Sequence, residues 1–397
     1  MKQQDILRQR ILRALLSSPR LTRAELLERI PVRPATLYDA IRRLDREGLV
    51  DEPERSGVKT GRKASPIMLH PKAGRFVGVE LDVADTLAVL IDASGEVLAE
   101  TRVHSKSPKD VEAGKREIRA TLTDLRKKAK ASDWRGLKGV GFADPGLVDV
   151  KRGISLRAVN IPGWECFPTR DWLQKETGLP AAVFPAISAR AYADSLVKGV
   201  QGVGSLFHMQ IDTGVGGGFV RDGDLLFGDA SCGMEIGHVV GQPDGALCRC
   251  GNRGCLEALA GADGIRRRVQ ELVHTGVRTR LTEHPFSLDW LVRCIQEKDK
   301  VAGALAMEIA EKVGVGLATI VALLNPSEIV LSGTLPERLP DLFLSTARRV
   351  LALRCFPMSL ENLRIRVSDL PEHGNALGAA LLARKRVLLP DSARMAF

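Results

Sequence analysis

The chain has 397 residues, 44% hydrophobic and 27% charged, with 58 Lys and Arg against 48 Asp and Glu for a net charge of +10. That length holds a small module plus a two-lobed body, and the balance is that of an ordinary soluble globular protein. No apolar run reaches the length of a membrane span, and the polar start MKQQDILRQR does not read as a secretory signal. A cytoplasmic protein without a membrane partner is expected.

Residues 3–17 space Ile6, Leu7, Ile11, Leu12, Leu15 and Leu16 as one helix, which Pro19 ends. Thr22 with Glu25 three residues on is a capping-box pattern for a second helix over about Arg23 to Arg29. Pro34 opens a third, PATLYDAIRRLDREG, with Leu37, Ile41 and Leu44 on one face and Gly48 as its stop. LVDEPE and PIML then read as short strands around the basic loop SGVKTGRKAS. This is the order of a winged helix-turn-helix over residues 1–72. Residues 1–70 carry 15 basic and 9 acidic side chains, so over half of the net charge sits in under a fifth of the chain. A duplex DNA operator is the expected partner. Arg33, Ala35, Thr36, Tyr38 and Asp39 would face bases, Arg42 and Arg43 phosphates, and Lys59, Arg62 and Lys63 would form the wing. A small helical interaction domain with a solvated basic face is the blander reading.

From about Arg75 three strands (VGVEL, TLAVLID, EVLAETRV), a charged helix near Lys109–Lys130 and the buried strand LKGVGFA follow one another. This order begins an actin-like nucleotide-binding lobe. A second set starts at LFHMQIDTGVGGGFVRDGDLLFG, with Gly214, Gly216, Gly217 and Gly218 in a tight turn. PSEIVLSGTL is a later strand and loop, and NALGAALLARKRVLL a final helix with small residues for close packing. The fold class expected is α/β: a winged helix-turn-helix followed by a two-lobed, ribonuclease H-like ATPase fold of the sugar-kinase type. The boundaries expected are 1–72, 73–183 for lobe 1, 184–372 for lobe 2, and 373–397 for a terminal helix returning to lobe 1.

Seven cysteines, an odd number, do not suggest a disulfide framework. Three of them, Cys248, Cys250 and Cys255, fall within eight residues around Gly251 and Gly254, and His238 lies ten residues upstream. Three thiolates and an imidazole make a closed tetrahedral set, the pattern of structural zinc rather than of a zinc-activated water. Three ordinary reduced cysteines would be the alternative.

The segment EIGHVVGQPDGALCRCGNRGCLEALAG, supported by NIPGW (160–164), DTGVGGG (212–218) and NALGAA (375–380), resembles the ROK family (repressor, open reading frame, kinase). The resemblance covers nearly the whole chain and is to the repressor branch, of the xylose and N-acetylglucosamine type. It implies that His238, Cys248, Cys250 and Cys255 hold zinc, and that Asn160, Glu235, His238 and Glu257 face a sugar or sugar-derived effector. It also implies departures from kinase chemistry. The family's first phosphate loop, Asp-x-Gly-Gly-Thr, matches Glu80-Leu81-Asp82-Val83-Ala84, without either glycine. Its catalytic Asp and a sugar-binding Asn match Ala186 and Pro185. Ala186 accepts no proton, so no catalytic residue and no enzyme activity are expected. The function expected is a ROK-type regulator of carbohydrate-related genes, most often a repressor, acting as a homodimer or a dimer of dimers. The alternatives are an active sugar kinase with an appended DNA-binding domain, and a constitutive DNA-binding protein with no effector.

Overall fold

The computed structural model describes residues 3–52, 65–82, 84–105, 110–158, 161–197 and 204–390. The chain opens with α1 (Gln3–Ser17), α2 (Arg23–Arg29) and α3 (Pro34–Arg46), then the antiparallel pair β1 (Val50–Asp51) and β2 (Met68–Leu69), with Val50 opposite Leu69. Thr22 accepts from the Glu25 amide while the Glu25 carboxylate accepts from the Thr22 amide at 2.7 Å. Two donors that a helix start leaves orphaned are thus satisfied together. Leu37, Ile41 and Leu44 of α3 bury against Ile11, Leu12, Leu15 and Leu26. This arrangement leaves the opposite face of α3 in solvent. Strand β1 is shorter than the LVDEPE segment, and residues 53–64, with Lys59, Arg62 and Lys63, lie outside the described residues.

Contacts divide the chain into two compact units, Met1–Gly202 with Asp222–Cys232 and Leu370–Phe397, and Val203–Arg221 with Gly233–Asp369. Beyond the winged helix, the first unit holds β3 (Arg75–Leu81), β4 (Asp85–Asp92), β5 (Val97–His104), α4 (Val111–Lys128), α5 (Ala131–Arg135), β6 (Leu137–Asp144), β7 (Leu147–Asp149), β8 (Ile154–Arg157), β9 (Glu165–Phe167), α6 (Thr169–Thr177), β10 (Ala181–Pro185) and α7 (Ala186–Val197). Its main sheet runs β10-β6-β3-β4-β5, antiparallel through β3, β4 and β5 and parallel from β3 to β6 and β10. The sequence pattern puts the start of lobe 2 at residue 184. In the fold, β10 pairs with β6, Pro185 opposite Asp144, and this holds β10 and α7 in the first unit. The single charged helix expected near Lys109–Lys130 is α4 followed by the short α5.

The second unit holds β11 (Ser205–Ile211) and β12 (Val215–Arg221). After the short β13 (Asp224–Leu225) of the first unit, it continues with α8 (Leu256–Ala260), α9 (Ala262–His274), α10 (Leu288–Gln296), α11 (Lys300–Leu324), β14 (Glu328–Ser332), α12 (Thr334–Arg338), α13 (Pro340–Arg354) and β15 (Arg364–Val367). Within this unit the strands run β12-β11-β14-β15. The last helix, α14 (Gly374–Leu388), returns to the first unit and packs on β3, β6 and α7. Its small residues allow a backbone-to-backbone approach: a Cβ at Gly78 on β3 would lie 1.8 Å from the Ala376 carbonyl oxygen. At its far end Leu389 joins the apolar cluster of the winged helix. Lys385 there reaches Asp224 at 2.5 Å, and Arg13 of α1 reaches the same carboxylate at 3.1 Å. Among the described residues no helix is long and apolar enough to cross a membrane.

Candidate functional site

In the second unit a 3-10 turn at Ile236–His238 presents His238, and the loop before α8 presents the three cysteines. The backbone bridges Val240 to Cys255 and Leu247 to Arg253 fold that loop back on itself. Gly254 turns in the left-handed region at φ +69, and a Cβ there would lie 1.5 Å from the Gln242 carbonyl oxygen, so no other residue fits. The ligand atoms of His238, Cys248, Cys250 and Cys255 all lie within 4.8 Å of one another. Cys250 Sγ is 3.6 Å from Cys255 Sγ, and His238 Nδ1 is 3.7 Å from Cys248 Sγ. A tetrahedron with Zn–S bonds of about 2.3 Å has sulfur edges of roughly 3.8 Å. Donor identity and spacing therefore fit the metal, and the four residues form a structural zinc-binding site. Burial and the neighbouring thiols push Cys255 well above an ordinary thiol, so holding it as a zinc-bound thiolate would draw on the metal's charge.

The zinc loop leads directly into α8 and Glu257. That carboxylate accepts the Val215 amide at 3.1 Å, at the Gly-rich turn between β11 and β12. A Cβ at Gly214 would stand 2.6 Å from Glu257 Oε2. The glycine at 214 thus has a structural reason to be there, and the Val215 amide already has an acceptor. Solvent reaches Glu235, yet the protein around it holds its carboxyl above the usual range; Glu257 adds to this and His238 opposes it. Glu235, His238 and Glu257 are therefore brought into one electrostatic neighbourhood. Asn160 lies outside the described residues.

In the winged helix, Arg33, Ala35, Thr36, Asp39, Arg42 and Arg43 are exposed along α3. Tyr38 is half-buried, with the Arg23 guanidinium 4.6 Å over its ring, and Arg23 is itself held by Glu52. Asp39 lies 4.0 Å from Arg42, and Arg43 bonds to Glu47 at 3.1 Å.

A profile described as the ROK family matches residues 76–386, and one described as winged helix-turn-helix DNA-binding matches residues 4–51. The chain belongs to the ROK family. It is 27% identical to the xylose repressor of Caldicellulosiruptor bescii over 388 residues, covering 96% of each chain. It is also 27% identical to the glucokinase of Thermotoga maritima, over 79% of this chain and 98% of that one. The crystal structure of a ROK family transcriptional regulator, a homologue of the E. coli Mlc protein, aligns over 98% of both chains with a TM-score of 0.78 at 22% identity. This ROK protein thus joins a DNA-binding winged helix to a kinase-like, actin-type body, the organisation of a transcriptional regulator with a sensor domain.

The positions that the resemblance matches to kinase chemistry fall at strand ends of the first unit. Pro185 ends β10 and Ala186 begins α7. Beside them, across the β10–β6 register, is Asp144, fully buried and bonded by Ser155, Trp164 Nε1 (3.0 Å) and the Gly146 amide (2.9 Å). Burial raises Asp144 above the usual carboxyl range while those three donors oppose it. It fastens Trp164 of the NIPGW segment. Glu80 sits buried near the end of β3, and Asn375 Nδ2 of the NALGAA motif donates to it at 2.6 Å. In sequence Glu80 reads only as part of a lost phosphate loop, and nothing there points to this pairing. Past β3 the Asp82 amide donates to the Asp85 carbonyl at 2.9 Å.

Proposed function

We propose that the chain is a transcriptional repressor of carbohydrate-related genes whose kinase-like body senses a sugar or sugar derivative without phosphorylating it. The observation that carries this reading is Pro185 and Ala186 at the β10–α7 junction, where a ROK kinase needs a sugar-binding amide and a carboxylate base. Without that base the attacking hydroxyl loses its proton acceptor, commonly worth about 10²–10⁴ in rate. The acceptor already placed on Val215 supports the same reading, since it explains the retained Gly-rich turn without ATP.

In this reading residues 1–72 read the operator. Thr36, Ala35, Arg33 and Asp39 meet base edges, and Tyr38, steadied by Arg23, stands at their border. Arg42, Arg43, Lys59, Arg62 and Lys63 serve phosphates or the minor groove. Asn160, Glu235, His238 and Glu257 bind the effector. His238 gives Nδ1 to zinc, which leaves Nε2–H for a sugar hydroxyl, so the metal fixes the tautomer of a sensing residue. A homodimer, alone or paired, presents two winged helices to a palindromic site, and the effector biases their spacing.

The test is a panel of sugars with ATP and magnesium, followed by mass spectrometry for sugar phosphates, beside a gel-shift on the chain's own upstream DNA with the same sugars. Release of DNA by a sugar that is recovered unchanged is the expected result. Catalytic turnover would make the chain a sugar kinase with an attached DNA reader.

A further inference from the structure

The net charge has a second centre besides the winged helix. Residues 126–138, from the end of α4 through α5 into β6, hold six basic and one acidic side chain, a net +5. Residues 1–70 hold +6 of a total of +10, so the other 314 residues together carry −1.

The acidic groups near this segment are already paired. Asp133 pairs with Arg75 at 2.9 Å, and Asp124 with Lys128 at 3.2 Å. That leaves Arg126, Lys127, Lys130, Arg135 and Lys138 exposed and in no ion pair among the described residues, with Lys127 only close enough to Asp124 to help lower its carboxyl. The α4 dipole favours cations in its last turn, which accounts for Arg126 and Lys127. It does not account for Lys130, Arg135 and Lys138, which lie beyond that helix. The presenting turn is anchored, because Ala129, Trp134 and Leu137 pack against the core of the unit.

Its place in the fold is specific. Arg75, which pairs with Asp133, also donates its amide to the Gly136 carbonyl at 3.0 Å. The Lys138 side chain runs beside Gly74, 3.0 Å from where a Cβ would stand. Gly74 and Arg75 are the joint to the winged helix, whose β2 ends at Leu69. Six residues span at most roughly 20 Å, so the cations begin within about one duplex width of the DNA reader.

We propose that Arg126, Lys127, Lys130, Arg135 and Lys138 form a second DNA contact, a sequence-independent clamp on the phosphates flanking the stretch read by the winged helix. It rests on the DNA-binding reading above and extends the footprint along the same duplex. Exposed ammonium and guanidinium groups without aromatic or amide partners suit phosphate neutralisation and do not read bases.

The test uses the full chain and its Lys127→Gln/Lys130→Gln/Arg135→Gln/Lys138→Gln variant, with unchanged thermal midpoints as the folding control. Two duplexes serve as probes, one just covering the winged-helix footprint and one longer by two helical turns at each end. On the long duplex the variant's plot of log K against log salt becomes shallower by roughly 3–4, about 0.9 for each phosphate no longer neutralised, and its low-salt affinity falls by tenfold or more. On the short duplex the two proteins coincide. An Arg126→Gln/Lys127→Gln pair gives about half the slope change. Equal slopes for wild type and variant on the long duplex overturn the clamp and leave the DNA reader standing. So does loss of binding in the variant only to phosphatidylcholine–phosphatidylserine vesicles, which would make the patch a membrane surface. A wild-type chain that binds neither duplex overturns the DNA-binding reading and the clamp with it.

Discussion

The recognition helix and the zinc loop are both short polar segments, and they hold their chemistry in opposite ways. Along α3 the residues proposed to meet DNA lie on the solvent side while Leu37, Ile41 and Leu44 carry the packing. In the zinc loop Cys248 and Cys255 are at once ligands and buried core, grouped with Ala258. Function and stability are therefore separable in the reader and joined in the zinc loop. Substitutions at the zinc ligands should move the melting curve, and those in the reader should move binding with the melting curve fixed.

The largest effect is expected at zinc. Cys255→Ser should remove the metal and lower unfolding stability by more than about 4 kcal/mol, because a closed site contributes its binding free energy to the fold. Elemental analysis of the purified chain, expected at about one zinc each, and calorimetry with and without chelator check this. A metal-free chain with an unchanged transition would make the loop as separable as α3 and break the contrast.

Glu80 extends the contrast to a buried group without a metal. Burial raises its carboxyl from 4.5 to about 7, Asp82 adds to this, and Asn375, Arg190 and Arg102 oppose it. The fold favours the protonated form. The contribution of neutral Glu80 is therefore full below pH 4.5 and is lost as pH rises through about 7. Glu80→Gln keeps an acceptor for Asn375 and cannot ionise. Above pH 7 it should be more stable than wild type by about 3 kcal/mol, with no difference at pH 4. Parallel melting curves at both pH values would show that Glu80 is solvated and belongs with the separable groups.

Legibility followed the distance over which each feature is assembled. The zinc set lies within His238–Cys255, and its chemistry resides in the side chains themselves, so sequence sufficed. The helices of the reader were equally open, because Thr22–Glu25 capping and the Leu37–Ile41–Leu44 stripe are local. The Glu80–Asn375 pair was hidden. Its members are 295 residues apart and meet only because Gly78 lets α14 press on β3. Placing β10 with the first unit likewise required its non-local parallel pairing with β6. The charged helix expected near Lys109–Lys130 took in only the first part of the basic run at 126–138, and the run's position beside the Gly74–Arg75 joint is visible only in the fold. Tyr38 looked like a base-reading residue from its place on α3, and only the fold brings Arg23 over its ring.

Within the reader the effects are smaller and confined to binding. Thr36→Ala should change the preference for one base pair by about 1–2 kcal/mol, read by competition between operator variants, and leave the melting curve where it was. A shifted melting curve would mean that Thr36, exposed at the start of α3, shares the zinc ligands' double duty.

The smallest expected change is at the wing. Arg62 follows Gly61 in the sequence proposed as the wing, where a guanidinium would enter a narrow minor groove or meet a phosphate. If it meets a phosphate, Arg62→Ala should weaken binding to all duplexes alike and make the salt plot shallower by about 1. If it enters the minor groove, the loss should instead be larger for A·T-rich flanks, whose grooves are narrow. Titrations against duplexes differing only in those flanks separate the two. In either case the thermal midpoint should stay put, since a residue that carries only binding has no part in the core. A fall in stability with unchanged DNA affinity would reverse the assignment and place Arg62 on the structural side of the comparison.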